Sequence, residues 1–215
     1  MRSGCKVNKS LLYFEDVAKD WDQIRTAYFT PQMRDAAILS AGLVHSEKAR
    51  YADIGTGTGF VIEGLVNTGV QLIGFDESRS MLSTAREKFA RNANVTFRLV
   101  EGSKLEAKDS SFDAVFANMY LHHTPNPQRA IREMCRILKS GGKLIITDLE
   151  AHEQEWMQNE MADRWLGFKR ADVSRWFKAN GLDISINRAK GTCNCTSPSQ
   201  QDIQLDVFVA IGTKR

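Results

Sequence analysis

The sequence predicts an α/β fold: a doubly wound, mostly parallel seven-stranded sheet with an antiparallel last strand and an N-terminal helical cap. Two observations carry this prediction. From residue 50 onward, short apolar runs that suit strands alternate with stretches that suit helices, and such alternation is typical of parallel strands covered on both faces. The last strand-like run, 203–212, follows its predecessor after only a short link, so it is expected to pair antiparallel.

Length and composition narrow the class of protein. The 215 residues suit a single domain, 1–215, with the cap at 1–44 and the α/β core at 45–215. Hydrophobic residues make up 42% and charged residues 26%, which is ordinary for a globular protein and excludes disordered, fibrous and disulfide-rich classes. The net charge of +3 comes from interspersed charges of both signs and gives no support for nucleic-acid binding.

The lengths of the apolar runs in the sequence bear on membrane association and on location. No such run approaches the roughly 20 residues that cross a bilayer. The first ten residues also lack the apolar centre of a secretory signal. We therefore expect a cytoplasmic protein with no membrane partner, whereas the sequence does not indicate its oligomeric state.

The elements of the fold are expected as follows. Apolar residues between Leu12 and Ile24 predict one amphipathic helix, and a second helix begins near Pro31. Strands are predicted at 50–54, 70–75, 95–100, 112–117, 143–147, 182–188 and 203–212, and further helices at 59–68, 78–91, 127–138, 152–165 and 170–180. Ser140-Gly141-Gly142 is expected to end the helix over 127–138.

A glycine-rich turn is expected between the first core strand and the next helix. It reads Asp53-Ile54-Gly55-Thr56-Gly57-Thr58-Gly59, and ligands of open α/β sheets bind outside the carboxyl ends of strands. A dinucleotide fingerprint requires glycine at the sixth position, where this chain has Phe60, and a phosphate loop requires Gly-Lys-Ser/Thr, which does not follow. The acidic residue before the glycines disfavours a diphosphate and suits a cationic amine or sulfonium.

A second carboxylate is expected at the same edge of the sheet. Asp76 ends the second predicted strand, 21 residues beyond Gly55, where an acid can accept both hydroxyls of a ribose. A glycine turn alone could be a tight loop without a ligand. Because Asp53 and Asp76 are in register, a nucleoside site is the favoured interpretation.

Several further motifs accompany this pair. They are Gly74-Phe75-Asp76-Glu77-Ser78 with Met81, Glu101-Gly102-Ser103-Lys104-Leu105, Ser111-Phe112-Asp113-Ala114-Val115, Leu121-His122-His123 and Arg136-Ile137-Leu138-Lys139-Ser140-Gly141-Gly142-Lys143-Leu144. With the glycine turn, they make the chain from about residue 45 onward resemble the class I S-adenosylmethionine-dependent methyltransferases, in the small-molecule branch typified by ubiquinone/menaquinone C-methyltransferases. The resemblance implies a Rossmann-like methyltransferase fold, S-adenosylmethionine as cofactor and a small-molecule methyl acceptor.

The resemblance also implies roles for individual residues. The methionine end of the cofactor would lie against Asp53 and the glycine turn, namely Gly55, Thr56, Gly57 and Gly59. The ribose would bind Asp76 beside Glu77, the adenine would contact Met81, Gly102, Ser103, Lys104 and Leu105, and Asn118 would face the reacting centre. The family often has an acid at the position of Ser103, and a hydroxyl is a weaker acceptor for the adenine amine.

Methyl transfer from a sulfonium is an in-line displacement, so the protein mainly aligns the nucleophile and excludes water. The N-terminal helices could cover the cofactor with Phe14, Trp21 and Tyr28, and Arg25 could bind the cofactor carboxylate. The alternatives are that these aromatic side chains are ordinary helix core and that Arg25 is a solvated charge.

Two histidines follow the strand predicted at 112–117. His122 and His123 are the candidates for a catalytic base, and the alternative is that they fasten a loop by hydrogen bonds. The sequence after Asn118 lacks the Pro-Pro-aromatic motif of the enzymes that methylate exocyclic amines. This disfavours adenine or a glutamine amide as acceptor.

Polar clusters outside this region leave other functions open. Asp148, Glu150 and His152 could meet a substrate or metal, or could form a solvated loop. Cys193 and Cys195 are expected in a polar loop, too close in sequence for an easy disulfide, and together with Cys5 they could bind a soft ion. The alternatives are therefore an arsenite methyltransferase that uses these thiols, a non-catalytic cofactor-binding or metal-sensing protein and, against the glycine spacing, a nicotinamide dehydrogenase.

Overall fold

A computed structural model describes residues 9–100 and 104–215. The strands of its sheet are β1 Arg50–Ile54, β2 Gln71–Asp76, β3 Val95–Leu99, β4 Phe112–Asn118, β5 Leu138–Leu149, β6 Leu182–Thr196 and β7 Asp202–Lys214. They lie in the order β3-β2-β1-β4-β5-β7-β6. Strands β1 to β5 pair in parallel, and β7 is antiparallel to both β5 and β6. The predicted fold class and the antiparallel last strand are confirmed.

Helices precede and connect these strands. They are α1 Lys9–Val17, α2 Trp21–Arg25, α3 Pro31–Ser40, α4 Phe60–Leu65, α5 Arg79–Lys88, α6 Pro127–Ile137, α7 Met157–Glu160 and α8 Arg170–Ala179, with 3₁₀ turns at Val66–Thr68 and Leu121–His123. Helices α1 to α3 precede β1, where the sequence predicts the cap. The organisation as a single domain stays a prediction.

The sheet has an apolar core on each face. Alternate residues of β4 point in opposite directions, so Ala114 and Phe116 belong to the core on the face of α3 and α4, whereas Val115 and Ala117 belong to the core with residues of α6 and α8. Both faces of the central strands are therefore buried, which explains their nearly continuous apolar sequences. The helices on the two faces do not cover the carboxyl ends of these strands.

The prediction of one helix between Leu12 and Ile24 is wrong. The chain turns between α1 and α2, where the Asp20 N–H donates to the Val17 carbonyl oxygen at 3.0 Å. Because of this turn, Glu15 accepts hydrogen bonds from Ser80 at the start of α5, while Asp22 accepts one from Thr58 Oγ1 at 2.6 Å. The cap is thus fastened to the core at two points.

The helix predicted over 152–165 is mostly absent, since α7 covers only Met157–Glu160. The preceding backbone is paired elsewhere: the N–H groups of Ala151 and His152 donate to the carbonyl oxygens of Phe168 and Leu166 at 3.1 and 3.0 Å. This tertiary pairing fixes the backbone at the position where the predicted helix would have begun.

Two turns predicted from local composition are also wrong. Helix α6 ends at Ile137, and Leu138 is already extended and pairs with Phe112, so the Gly141-Gly142 pair lies within a bulged β5 and does not end the helix. Cys193 and Cys195 lie in β6, where they pair with Leu205 and Ile203 of β7. The predicted polar loop is a strand whose alternate residues are buried.

Among the described residues, no helix combines the length and the apolar character that a membrane span requires. The cytoplasmic location stays a prediction.

Arg136 on α6 holds the segment after the undescribed residues 101–103. Its guanidinium donates to both oxygens of Glu133 at 2.9 and 2.7 Å, and to the carbonyl oxygens of Leu105 and Ala107 at 3.1 and 2.9 Å. The Leu105 N–H in turn donates to Glu133 at 2.8 Å. This planar, multiply bonded fork cannot be reproduced by an ammonium group.

We therefore expect Arg136→Lys to lower the free energy of unfolding by about 1–3 kcal/mol, because buried carbonyl oxygens lose their donors. Chemical denaturation of the purified protein measures this change. Arg132→Lys on the exposed face of the same helix is the matched control and should change stability by less than about 0.5 kcal/mol. Equal effects of the two substitutions would show that the fork contributes nothing.

Candidate functional site

A cavity of about 610 Å³ opens at the carboxyl ends of β1, β2 and β4 and is covered by α1 and α2. The predicted site residues that line it are Arg25, Asp53, Gly55, Thr56, Gly57, Asp76, Glu77, Met81, Leu105, Asn118 and His123. Gly59, Lys104 and His122 do not line it, and Gly102 and Ser103 lie outside the described residues. The structure thus brings most of the predicted residues to one place.

The glycine turn folds back over the end of β2. The N–H groups of Gly55 and Thr56 both donate to the Phe75 carbonyl oxygen, at 2.8 and 3.0 Å. Gly55 has a φ of +69°, and a Cβ placed there would lie 2.3 Å from Cδ2 of Tyr120. Only glycine fits this backbone against the tyrosine ring. The backbone of Gly55, Thr56 and Gly57 therefore forms a concave surface, the cradle, bounded by Tyr120.

Asp76 links the turn to the second strand. Its Oδ2 accepts a hydrogen bond from the Gly57 N–H at 2.8 Å, and its Oδ1 accepts one from the Ser78 N–H at 2.9 Å. Burial raises the pKa of Asp76 although these N–H groups oppose the rise. Each carboxylate oxygen can accept further hydrogen bonds, so Asp76 still offers acceptors to hydroxyl groups in the cavity.

Asp53 is the more deeply buried of the two carboxylates, with 5% of its surface exposed. Its Oδ2 accepts a hydrogen bond from Thr56 Oγ1 at 2.7 Å. Burial, together with the negative charge of Asp76, raises the pKa of Asp53 to about 7. No cationic side chain within the described residues forms an ion pair with Asp53, so a cation in the cavity would favour its charged form.

Arg25 is buried rather than solvated, with 5% of its surface exposed. Its guanidinium carbon lies 3.9 Å from the centre of the Phe60 ring, and Asp22 lies 3.8 Å from Nη2. Nε and Nη1 are buried without a hydrogen-bond partner in the described parts of the chain. The solvated alternative is therefore wrong, and two donors remain for an anion in the cavity.

The aromatic cover is formed by two of the three predicted side chains. Phe14 and Trp21 line the cavity and pack edge to face, with ring centres 5.3 Å apart, and Phe14 packs likewise against His123 at 4.9 Å. Tyr28 packs against the core, and its carbonyl oxygen accepts from the Asn194 N–H at 3.2 Å. Tyr28 therefore anchors the cap to β6 instead of covering the cavity.

The two histidines have different surroundings. His122 is buried, its Nδ1 lies 2.7 Å from Asp148 Oδ1, and its carbonyl oxygen accepts from the N–H groups of Arg164 and Trp165. Burial lowers the pKa of His122, but the charge and the hydrogen bond of Asp148, together with the charge of Asp163, outweigh burial and raise this pKa. This arrangement fits the loop-fastening alternative for His122.

His123 lines the cavity, and its Nδ1 lies 3.3 Å from the Ala162 carbonyl oxygen. Burial, followed by the neighbouring His122, lowers the pKa of His123 well below its usual value. It is therefore the neutral imidazole at the cavity wall, and Nδ1–H is the nitrogen that can donate to Ala162.

Asp148, Glu150 and His152, considered either as a substrate or metal site or as a solvated loop, have separate surroundings. Asp148 is fully buried and accepts from the Leu121 N–H at 2.8 Å. Glu150 instead pairs with Arg170 at 2.6 Å. His152 Nε2 is buried with no hydrogen-bond partner among the described residues.

The thiols of Cys193 and Cys195 belong to the apolar core. Burial, followed by the neighbouring Cys195, raises the pKa of Cys193 to about 12, and burial also raises that of Cys195. Because the thiolate is the form that binds soft ions, these side chains act as small apolar residues. Cys5 lies outside the described residues, whereas Cys135 is a buried free thiol.

Sequence reasoning missed Tyr120 and Asp163. Met119 has a φ of +51°, and this turn brings the following Tyr120 ring against Gly55. Asp163 lies in the segment expected to be helical, yet its Oδ1 is 3.8 Å from His122 Nε2. An aromatic residue shortly after Asn118 was a local signal for Tyr120. No local pattern places Asp163 beside His122, about forty positions earlier.

Comparisons with known proteins agree with this geometry. Residues 52–146 match a family model described as "Methyltransferase domain". Over 173 residues the chain is 34% identical to 2-methyl-6-phytyl-1,4-hydroquinone methyltransferase 1 of Oryza sativa subsp. japonica. The aligned region covers 77% of this chain and 50% of the relative. The chain is 35% identical over 115 residues to demethylmenaquinone methyltransferase of Tropheryma whipplei, covering 54% of this chain and 47% of the relative.

Solved structures share the fold. The solved structure of YcgJ from Bacillus subtilis superposes with a TM-score of 0.70 at 19% identity and covers 84% of this chain and 98% of that protein. The chain spans about half the length of the curated relatives that it matches. With this sheet order, glycine turn and pair of carboxylates, the chain is similar to methyltransferases over the matched residues.

Proposed function

We propose that this protein transfers a methyl group from S-adenosylmethionine to a small, largely apolar acceptor of the hydroquinone class, by in-line displacement. The observation that carries the proposal is the pair Asp53 and Asp76, which face one cavity from either side of the glycine turn. Carboxylates here suit an ammonium or sulfonium and the hydroxyls of a ribose, and they oppose a diphosphate. This donor set also disfavours a nicotinamide dinucleotide.

The residues of the cavity fit the cofactor. Asp53 would face the cation at the methionine end, while Nε and Nη1 of Arg25, which have no partner among the described residues, can donate to its carboxylate. Gly55, Thr56 and Gly57 leave the cradle in which this end would lie. When bound, S-adenosylmethionine supplies a methyl group on a sulfur that is already an activated leaving group.

The nucleoside end would extend along β2. Asp76 is placed to accept from the ribose hydroxyls, with Glu77 beside it, and Met81 and Leu105 offer apolar surface for the adenine. Gly102, Ser103 and Lys104 remain proposed neighbours of the adenine by position in the sequence. Gly59 caps α4 at a φ of +90°, with Phe89 packed beneath it, so its contribution is to shape the turn.

The acceptor side of the cavity is largely apolar. Phe14, Trp21, Met119 and Pro125 line it, and Asn118 and His123 add polar groups. Such a surface would bind an aromatic ring, exclude water and orient a ring hydroxyl by hydrogen bonds. Two relatives are named for hydroquinone-type and demethylmenaquinone acceptors, which supports this class over a polar amine. The same cover would align the accepting atom with the methyl group.

Turnover with labelled S-adenosylmethionine tests the proposal. Alkylated hydroquinones should be methylated, whereas phosphoethanolamine and histamine should not, and the product spectrum identifies the accepting atom. Binding of S-adenosylhomocysteine without turnover on any hydroquinone would contradict the proposed acceptor class. Binding of NADH in place of S-adenosylhomocysteine would contradict the proposed cofactor site.

We expect Asp76→Asn to weaken binding of S-adenosylhomocysteine and of 5′-methylthioadenosine alike, by about 1–3 kcal/mol, because both ligands carry the ribose hydroxyls. Titration calorimetry gives both affinities. Asp172→Asn, at an exposed pair on α8, is the control and should change neither. An unchanged affinity in Asp76→Asn would remove the ribose from this position.

Arg25→Met should separate the two ends of the cofactor. The methionine side chain keeps apolar contact with Phe60 but removes the donors, so binding of S-adenosylhomocysteine should weaken at least about tenfold. Binding of 5′-methylthioadenosine, which lacks the carboxylate, should not change. Equal losses for both ligands would show that Arg25 only supports the fold.

Asp53→Asn should stabilise the ligand-free protein as the pH rises. The folded-state pKa of about 7 exceeds the ordinary value of 3.8, so the native state binds the extra proton, and wild-type stability falls between about pH 4 and pH 7. The neutral amide removes this loss. The gain over wild type should increase by roughly 2 kcal/mol from pH 5 to pH 8, as measured by denaturation, while S-adenosylhomocysteine binding weakens. A gain that is independent of pH would contradict the assigned ionisation.

A further inference from the structure

Three potential metal ligands converge at the end of the cavity near His123, and the proposed function uses none of them as a group. His122 Nε2 and His123 Nδ1 each lie 3.8 Å from Oδ1 of Asp163. The three ligand atoms are all within 4.8 Å of one another. Two imidazole nitrogens and a carboxylate oxygen are ligands that zinc and similar divalent ions prefer. His123 Nδ1 donates its proton to the Ala162 carbonyl oxygen at 3.3 Å in the ligand-free protein, so ion binding would move this proton to Nε2 and break that hydrogen bond.

Asp163 is buried without satisfying its carboxylate. It is 5% exposed, and its Oδ2 has no hydrogen-bond partner within the described residues. The separation of 3.8 Å from each imidazole nitrogen is too long for a hydrogen bond. A carboxylate left in this state costs free energy unless a cation compensates it.

His122 is held in the orientation of a metal ligand. Its Nδ1 bonds Asp148 at 2.7 Å, and Asp148 is itself fixed by the N–H groups of Leu121 and Leu149 at 2.8 Å. A histidine that donates one ring N–H to a carboxylate presents the other nitrogen as a lone pair, as metal-bound histidines do. That nitrogen, Nε2, faces Asp163.

The backbone fixes the spacing between the two segments. The N–H groups of Arg164 and Trp165 donate to the His122 carbonyl oxygen at 2.9 and 3.1 Å, and Trp165 Nε1 donates to the Thr124 carbonyl oxygen at 2.9 Å. The segment that carries Asp163 is therefore fastened directly to the one that carries both histidines. These hydrogen bonds hold the backbones that carry the three ligand side chains close together.

We infer that His122, His123 and Asp163 bind a divalent transition-metal ion of the zinc class. Bonds of about 2.0–2.1 Å would require each nitrogen to approach Asp163 Oδ1 by roughly half an ångström from 3.8 Å, and the two nitrogens, within 4.8 Å of each other, to approach by up to about 1.5 Å. His123 lines the cavity, so the fourth coordination position faces the space assigned to the methyl acceptor. There the ion would bind an acceptor hydroxyl oxygen as a Lewis acid. This last role rests on the proposed function, whereas ion binding does not.

The experiment titrates Zn²⁺ and Co²⁺ into protein that has been dialysed against a chelator. Calorimetry should give one equivalent of Zn²⁺ with a dissociation constant in the micromolar range or tighter, and Co²⁺ should give the visible absorption of a four- or five-coordinate site. Asp163→Asn and His123→Gln should each weaken binding at least tenfold. His45→Gln, at an exposed histidine beside Tyr51, should not change it.

Thermal unfolding and S-adenosylhomocysteine binding are measured on the same variants. Because the proposed nucleoside contacts lie on other residues, retained S-adenosylhomocysteine binding shows that a variant is folded and separates this inference from the proposed function. Absence of stoichiometric binding in the wild type, or equal affinity in Asp163→Asn, would overturn the metal site. Asp163 would then be compensated by a protonated His122 instead.

Discussion

The cavity depends on hydrogen bonds that fold the glycine turn over the end of β2. The N–H groups of Gly55 and Thr56 share the Phe75 carbonyl oxygen, and the Gly57 N–H donates to Asp76. These bonds place two carboxylates from neighbouring strands beside one concave backbone. Burial raises the pKa of Asp53 to about 7 and so disfavours its charged form. The site therefore holds electrostatic strain that a cationic ligand can relieve.

The N-terminal cap completes this site from outside the sheet. It is fastened by Glu15 at the start of α5 and by Asp22 at Thr58 and Lys88, and it brings the unpartnered donors of Arg25 into the same cavity. In the proposed function, Asp53 and Arg25 would offer opposite charges to the amino and carboxylate groups of the methionine end of the cofactor. This complementarity explains why an arginine is buried at some cost without a full ion pair of its own.

Much of this arrangement could be predicted from the sequence because its causes are local. The apolar strand over 50–54 has the bounds of β1. Asp53, Gly55, Gly57 and Asp76 reach one cavity because parallel strands end at the same edge of the sheet. The prediction of a helix over 152–165 is wrong because the N–H groups of 151 and 152 pair with the carbonyl oxygens of 168 and 166. Burial of Arg25 and of Asp163 likewise results from packing between distant segments, and no local pattern encodes it. The period-two alternation around Cys193 and Cys195 was a local signal for a strand that their polar neighbours obscured.

The central claim is that the paired carboxylates and the glycine turn form a site for a sulfonium nucleoside. A crystal structure of the protein with S-adenosylhomocysteine tests it most directly. The account predicts the ribose hydroxyls within hydrogen-bond distance of Asp76, the amino group beside Asp53 and the carboxylate at Arg25. Density for the nucleoside in another part of the molecule, or a ribose turned away from Asp76, would contradict it.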